Sequence, residues 1–316
     1  MKNKNTAGHL SALITILIWG TTFIATKILL NNFSPIDILF FRFVIGFIVL
    51  IVVYPYRLKV TNKKHELTFA CAGLCGVTLY YLLENIALTF TMASNVGIIS
   101  SVVPFFTVIL TYLFLKEEPL RINFFIGFVI AITGIFLISF NGTSNFHLNP
   151  LGDLLAALAT LIWAIYAVLT RKISSYGYHT IQTTKRVFFY GILFMLPALF
   201  LFDFQLKLER FANPVSLFNI LFLGLGASAL CFITWNYAVK VLGAVKTSVY
   251  IYVVPIVTLF TSIIVLHEQI TYLTASGTIL TLAGLFISES KINLKKKGEL
   301  ANEYTQKIAS CTKNDL

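Results

Sequence analysis

The sequence predicts an all-α membrane protein whose ten transmembrane helices form two inverted five-helix repeats. Three observations predict this fold: an apolar composition, ten long apolar segments, and a residue pattern that occurs twice. Of 316 residues, 57% are hydrophobic and 12% are charged, whereas soluble domains carry about 25% charged residues. The mean hydropathy of +0.84 leaves no room for a large soluble domain. We therefore expect the chain to lie in the membrane nearly from end to end.

Ten segments have the length of a spanning helix, which needs about 20 mostly apolar residues. They are continuously apolar and lack the strict alternation of barrel strands, so they predict helices. The first follows Lys2 and Lys4 as a secretory signal would, but it has no Ala-x-Ala cleavage site, and we interpret it as the first helix. The segments are residues 8–30, 35–56, 67–90, 93–115, 122–140, 151–170, 181–202, 215–239, 244–266 and 272–288.

The basic residues between the segments predict the orientation. Lys and Arg accumulate in cytoplasmic loops, and with the N-terminus inside, eighteen of them lie on the cytoplasmic side and only two, Lys207 and Arg210, on the other. An even number of spans then places both termini in the cytoplasm, and we expect a multi-pass protein of the plasma membrane with a polar tail at 291–316.

The net charge of +11 has the same explanation. The basic residues lie between apolar segments and not along one exposed face, so topology accounts for them better than nucleic-acid binding. The four cysteines show no metal spacing and predict no disulfide framework. We expect no cofactor and no metal, and the sequence leaves the oligomeric state open.

The two halves of the chain share a pattern of residues. Leu17-Ile18-Trp19 occurs again as Leu161-Ile162-Trp163, and Val102-Val103-Pro104 as Val253-Val254-Pro255. Further pairs at similar offsets are Lys27 and Arg171, Arg42 and Arg186, Asn85 and Asn236, Ala93 and Ala244, Glu117 and Glu268, Gly127 and Gly277, and Gly134 and Gly284.

Each repeat contains five segments, at 8–141 and 150–290. An odd number of spans makes the two copies enter the membrane from opposite sides, so the repeats are inverted. This symmetry is typical of alternating access, because two similar halves can exchange conformations at little cost in free energy.

The order of these motifs resembles the EamA family of the drug/metabolite transporter superfamily. The resemblance covers about residues 8–290 and rests on Trp19-Gly20, on Pro35 before Arg42-Phe43, on the start of the fourth span at Ala93, on its mid-helix proline, and on Glu117 before a glycine-containing fifth span. It implies a ten-helix carrier that moves small metabolites and often exports amino acids and related compounds.

Polar and aromatic side chains share one face of the first and sixth segments. Thr15, Trp19, Thr22 and Thr26 are spaced for one helical face. Their counterparts are Ala159, Trp163, Tyr166 and Thr170. Facing inward, indoles and hydroxyls would line a substrate cavity; the alternative is packing or anchoring at the membrane interface.

The third and eighth segments carry the other candidate substrate-binding residues. They are Tyr80, Tyr81, Glu84 and Asn85 on the third, and Trp235 and Asn236 on the eighth. A carboxylate inside a span costs about 2.5–3.5 kcal/mol, so Glu84 needs a partner or a wet cavity. Two interpretations stay open: a structural ion pair with Lys27 or Arg42, and a role in substrate binding or proton coupling.

Prolines and arginines are candidates for gates and hinges. Pro104 and Pro255 each remove a hydrogen bond in mid-helix and allow a kink, and Ser101 and Tyr252 lie close enough to face a cavity. Arg42 and Arg186, at equivalent positions, would hold a substrate carboxylate or form a gate, or else stay structural.

One acidic pair and two glycine pairs predict structural roles. Glu117 and Glu268 precede the fifth and tenth spans, where each carboxylate would interact with the amides that begin the next helix. The glycines of those spans form seams that let another helix approach closely, within the bundle or between protomers.

Three classes of function remain open. A secondary carrier that exports small organic metabolites such as amino acids explains the repeat best, with the substrate and the lipid bilayer as partners. A channel or a non-transporting scaffold is the alternative. An intramembrane enzyme fits less well, because the sequence lacks the His-Glu-x-x-His, Gly-x-Ser-x-Gly and Walker motifs.

Overall fold

The computed structural model describes residues 2–60, 62–116, 122–139, 150–202 and 204–289, and the predicted tail and Glu117 lie outside these ranges. All regular structure within them is helical. The long helical segments are α1 (Lys2–Leu29), α2 (Pro35–Val53), α3 (Lys63–Phe90), α4 (Ala93–Leu115), α5 (Ile122–Ser139), α6 (Pro150–Ser175), α7 (Thr180–Leu201), α8 (Pro214–Leu242), α9 (Ala244–Leu266) and α10 (Tyr272–Glu289).

Among the described residues, eight helices are long and apolar enough to cross a membrane, namely α1 to α4 and α6 to α9. The apolar parts of α5 and α10 are shorter, Ile122–Leu137 and Tyr272–Ser288. Large apolar side chains such as Val52, Phe200 and Phe286 point outward, at 74%, 87% and 79% exposure, as a lipid-facing surface requires. The predicted all-helical membrane protein is confirmed, and spanning by α5 and α10 stays a prediction.

Helices α3 and α8 each contain a π-helical stretch, Leu74–Leu79 in α3 and Phe222–Leu230 in α8. A π-turn inserts an extra residue into the helix and is frequent at functional sites. The two stretches lie at equivalent places in the halves, and each ends just before the predicted site residues of its helix.

Helices α4 and α9 are interrupted at their prolines. Helix α4 stops at Ser100 and resumes at Val103, and a 3-10 stretch, Val249–Val253, divides α9. Pro104 and Pro255 each stand in the first turn of the resumed helix, where proline needs no hydrogen-bond partner. Each helix is therefore broken beside its proline, but the expected loss of a mid-helix hydrogen bond is wrong, because both prolines begin a helix. Their role as hinges stays a prediction.

Most contacts between helices have a counterpart when the first five helices are exchanged for the last five. Helix α1 packs on α8 and α9, and α6 packs correspondingly on α3 and α4. Helix α7 packs on α3 as α2 packs on α8, and the pairs α2–α7, α4–α9 and α5–α10 connect equivalent helices.

Glycines set the close approach of α5 and α10. A Cβ atom added to Gly127 would lie 2.3 Å from the Gly284 carbonyl oxygen, and one added to Gly284 would lie 2.5 Å from the Gly127 carbonyl oxygen. Only glycine leaves room for the two backbones. The predicted glycine seam is confirmed as a contact within the chain.

Candidate functional site

All three tryptophans of the sequence meet in the centre of the bundle. The ring centroids of Trp19 lie 5.0 Å from those of Trp163 and 5.1 Å from those of Trp235, and the last two are 6.1 Å apart. Each is at most 9% exposed. Phe232 and Tyr80 extend the cluster, with centroids 5.9 Å and 4.7 Å from Trp163. Such edge and tilted contacts are favourable beyond their buried area.

A hydrogen bond to the π-helical stretch of α8 holds one member of the cluster in place. Trp19 donates from Nε1 to the carbonyl oxygen of Ala227 at 3.0 Å. The Nε1 of Trp235, by contrast, is buried and has no hydrogen-bond partner among the described residues. An indole N–H buried without a partner is costly, so Trp235 offers a donor to a group that enters the cluster.

Arg42 is fully buried beside the cluster. Its Nε donates to Ser228 Oγ at 3.2 Å, and its guanidinium carbon lies 4.2 Å from the ring centroid of Tyr81. Its Nη1 and Nη2 atoms have no hydrogen-bond partner among the described residues. A guanidinium is always charged and presents a planar fork suited to carboxylates. The cation–π contact holds Arg42 in place, and its fork is left without an acceptor.

Glu84 is 2% exposed and lies near Arg42, Tyr80 and Tyr81. The Oε1 atom of Glu84 has no hydrogen-bond partner among the described residues. Glu84 and Trp235 occupy equivalent positions in the two halves. Each therefore places one unsatisfied polar atom beside the aromatic cluster, an acceptor in one half and a donor in the other.

The expected ion pair of Glu84 does not form. Lys27, Arg42 and Glu84 are all described, and neither cation lies within 4 Å of the carboxylate. Lys27 instead donates to the carbonyl oxygens of Leu88 and Thr91, at 2.5 and 2.8 Å. These carbonyls are free because α3 ends at Phe90, and the end of a helix attracts a cation. The structural-pair interpretation of Glu84 is wrong.

The two equivalent asparagines connect neighbouring helices. Asn236 accepts from the Tyr166 hydroxyl at 2.9 Å and donates to Thr184 Oγ1 at 3.0 Å, which ties α6, α7 and α8 together. Asn85 donates to the Pro35 carbonyl oxygen at 3.0 Å, while its Oδ1 has no partner among the described residues. Asn236 is thus committed to the structure, whereas Asn85 keeps a free acceptor.

A small cavity lies against the cluster. It leaves about 30 Å³ for the centres of water molecules, room for about two of them. No organic solute fits, so the structure is closed around its centre. The lining residues are Trp19, Thr22, Phe23, Tyr80, Tyr81, Glu84, Ser100, Val103, Trp163, Ile251 and Val254.

Several predicted site residues lie elsewhere. Ser101 is buried and donates to the Ile98 carbonyl oxygen at 2.6 Å. Tyr252 packs against a separate cluster around Phe105. Arg186 pairs with Glu66, which also accepts from the Tyr190 hydroxyl. Arg186 therefore does not share the environment of Arg42.

Sequence reasoning missed other residues near the cavity. The lining residues Phe23, Ile251 and Val254 are apolar and carry no sequence signal that separates them from lipid-facing residues. Ser228, the partner of Arg42, lies in a π-helical stretch, where spacing rules for an α-helix do not apply.

Glu268 binds a helix start in the other half of the chain. Its carboxylate oxygens accept from the backbone N–H groups of Ala93 and Ser94, at 3.0 and 3.2 Å. The expected interaction with the next helix, α10, is therefore wrong for Glu268, and the carboxylate caps α4 instead. The reason is that α9 and α4 pack side by side, so the end of one meets the start of the other.

This bundle of apolar helices around a buried, partly unsatisfied polar site defines a polytopic membrane transporter. The model of the EamA-like transporter family matches the chain twice, at residues 6–140 and 150–289. The chain belongs to this family.

Similar proteins carry transporter names. An "Uncharacterized transporter" of Archaeoglobus fulgidus is 30% identical over 298 residues, which are 91% of this chain and 99% of that protein. "Uncharacterized transporter YyaM" of Bacillus subtilis is 25% identical, over 91% of this chain and 96% of its own. A solved structure described as "Crystal structure of protein" has the same fold, with a TM-score of 0.66, 18% identity, and coverage of 90% and 96% of the two chains.

Proposed function

We propose that the protein is a secondary carrier that exports small organic metabolites such as amino acids, by alternating access around the central aromatic cluster. One observation carries the proposal: Arg42 and Glu84 are buried near each other, and each has unpartnered polar atoms. A zwitterion would bring a carboxylate to the guanidinium and an ammonium group to the carboxylate. Its apolar part would contact the indoles.

The unsatisfied atoms support binding because no group of the described residues pairs with them. A buried charged group without a partner loses its hydration and gains nothing in return. A ligand that satisfies these groups recovers that cost. Donors at Arg42 and Trp235 and an acceptor at Glu84 lie at or beside the cluster, which matches an amino acid better than a simple cation or anion.

The packing of the helices supports alternating access. Exchange of the two halves reproduces most of the helix contacts, as expected for inverted repeats of five helices each, at 8–141 and 150–290. The central cavity holds about two waters, so a solute requires an opened state. Two open states related by the exchange of halves would have similar energies.

The remaining parts of the proposal concern topology. Eighteen basic residues on one side against two on the other support cytoplasmic termini in the plasma membrane. Export, as opposed to import, rests on the resemblance to the family.

The test is counterflow in proteoliposomes. Vesicles loaded with one unlabelled amino acid take up the labelled form, and we expect uptake that saturates and is accelerated by the internal substrate. Arg42→Gln should weaken apparent affinity about tenfold or more, because a hydrogen bond to a charged group contributes about 1.5–3 kcal/mol. Lys59→Gln, at an exposed position, is the control. Flux that does not saturate would favour a channel, and no flux for any amino acid would contradict the proposal.

A further inference from the structure

A groove of about 520 Å³ lies between α2 and α7 at the end where α2 finishes and α7 begins. Its walls are mostly apolar, with Phe47 and Ile51 of α2 and Phe189 of α7, and Gln182 also lines the groove. Ile51 and Phe189 are 42% and 44% exposed. The groove thus faces the surface of the bundle and runs along two helices that are apolar enough to span a membrane.

Three cations stand at one end of this groove: Arg57, Lys185 and Arg186. Lys185 donates to the backbone carbonyl oxygens of Tyr54 and Tyr56, and Arg186 pairs with Glu66. Arg57 is exposed, and none of the ion pairs between described residues includes it. With one acidic side chain against three cations, the end of the groove keeps an excess of positive charge.

The opposite end of the same helix pair is filled by the chain itself. Phe204 follows α7, donates its N–H to the Leu199 carbonyl oxygen at 3.2 Å, and places its ring 5.0 Å from that of Phe40 in α2. Phe211 packs 4.9 Å from Phe41. The charges at this end are paired, since Arg210 of the segment after α7 and Asp37 of α2 form an ion pair at 2.7 Å.

The comparison of the two ends indicates what the groove lacks. At the end that the chain fills, the rings of Phe204 and Phe211 cover the apolar walls, and Asp37 pairs with Arg210. At the open end, the walls are uncovered and Arg57 has no acid. An occupant of the groove therefore needs an apolar chain and a negative group at one end of it.

We propose that the groove between α2 and α7 binds an anionic phospholipid, with an acyl chain along Phe47, Ile51 and Phe189 and the phosphate end at Arg57. Basic pockets between transmembrane helices bind acidic headgroups in this way. The proposed topology places the site in the cytoplasmic leaflet; the site itself stands independently of transport and of that topology.

The experiment measures which lipids stay bound to the purified protein. The full chain is equilibrated with an equal mixture of phosphatidylglycerol and phosphatidylcholine, and native mass spectrometry counts the retained molecules. We expect phosphatidylglycerol to be retained about fivefold over phosphatidylcholine, which is the contribution of one basic residue near an anionic headgroup. Arg57→Gln should remove that preference. Lys59→Gln makes the same change in charge two residues away, outside the groove, and should preserve it.

A second pair of variants tests the apolar walls. Phe189→Ala should lower retention of both lipids several-fold, whereas Phe194→Ala, at a surface position outside the groove, should not.

Two lipid-retention results would overturn the proposal: equal retention of the two lipids by the unmodified protein, or an equal loss of the preference for phosphatidylglycerol in Arg57→Gln and Lys59→Gln. Thermal stabilisation by inorganic phosphate equal to that by phosphatidylglycerol would show that a free anion suffices. A dimer that Ile51→Ser dissociates without loss of lipid would show that the groove is an interface between two copies of the chain.

Discussion

Glu84 and Arg42 are the residues whose surroundings depart most from those of a packed helix bundle. Both are buried, opposite in charge and near each other, yet they form no ion pair. Direct pairing would satisfy both groups and leave nothing for a ligand. The cation–π contact of Arg42 with Tyr81 and its bond to Ser228 hold the guanidinium away from the carboxylate.

Glu84→Gln tests whether this carboxylate carries a coupling proton. The amide resembles the protonated acid, so we expect a folded protein that still exchanges substrate between proteoliposome compartments. Its apparent affinity should be lower, because the neutral amide pairs more weakly with an ammonium group than the carboxylate does. Accumulation driven by an imposed pH gradient should be lost, because no proton is taken up or released at this position. Glu209→Gln, at an exposed position, is the control. Gradient-driven accumulation by the Glu84 variant would eliminate Glu84 as the coupling site.

Trp19→Phe and Trp163→Phe test the aromatic cluster. Replacement by alanine would remove packing worth about 3–5 kcal/mol, which mixes folding with function. Phenylalanine keeps a ring, and at Trp19 it removes one hydrogen bond, worth about 1 kcal/mol. We expect normal yield and a melting temperature within about 5 °C of the unmodified protein, but a several-fold higher KM for transport. Tyr272→Phe, on the surface, is the control; an unchanged KM in both tryptophan variants would assign them to packing.

For single residues, the sequence was a better guide to which side chains lie together than to which groups they bond. The helical spacing and the repeat identified Trp19, Trp163, Trp235 and Glu84, which do meet. Lys27 could not be placed, because its partners are backbone carbonyls at the end of another helix. Backbone acceptors carry no sequence signal.

At the scale of single helices, irregular stretches position the site residues. The π-helical stretches of α3 and α8 end directly before Tyr80 and Cys231, and the breaks of α4 and α9 lie beside the cavity residues Ser100 and Ile251. The prolines predicted the breaks because proline cannot continue a helix normally. The π-stretches contain no residue type that requires them, so the sequence could not reveal them.

Glu268→Gln tests the contact between α9 and α4. The carboxylate accepts from two amides at the start of α4, where a negative charge is stabilising, and the neutral amide side chain accepts more weakly. We expect the contact between the end of α9 and the start of α4 to loosen. A cysteine introduced as Thr22→Cys in the cavity should then react several-fold faster with an impermeant maleimide added outside cells, as measured by mass spectrometry of the labelled peptide.

Glu209→Gln is the matched control for this measurement, since it removes an exposed carboxylate from the 3-10 stretch that precedes α8. An unchanged labelling rate in Glu268→Gln would show that its bonds to α4 do not hold the closed state.

For the whole molecule, composition alone predicted a helical membrane protein, and the repeated motifs predicted which helices are equivalent. The number of spans is a harder inference, because the apolar stretches of α5 and α10 within the described residues contain 16 and 17 residues, close to the minimum for crossing. The two pack tightly together through their glycines.

The number of spans decides whether the halves are inverted. If α5 crosses, each half has five spans and the halves are inverted; if α5 and α10 do not cross, each half has four and the halves are parallel. Eight spans would put Arg171, Lys172, Lys240 and Lys246 outside, against the preference of basic residues for the cytoplasm.

Both cases leave the C-terminus inside, so a C-terminal fusion to a reporter active only outside the cytoplasm should be silent and does not separate them. The same reporter inserted between α5 and α6, within residues 140–149, does: we expect a strong signal there and in an insertion within 204–212, and none from an insertion within 176–179. A silent reporter at 140–149 together with a signal at 176–179 would mean that α5 stays on the cytoplasmic side and that the repeats are parallel.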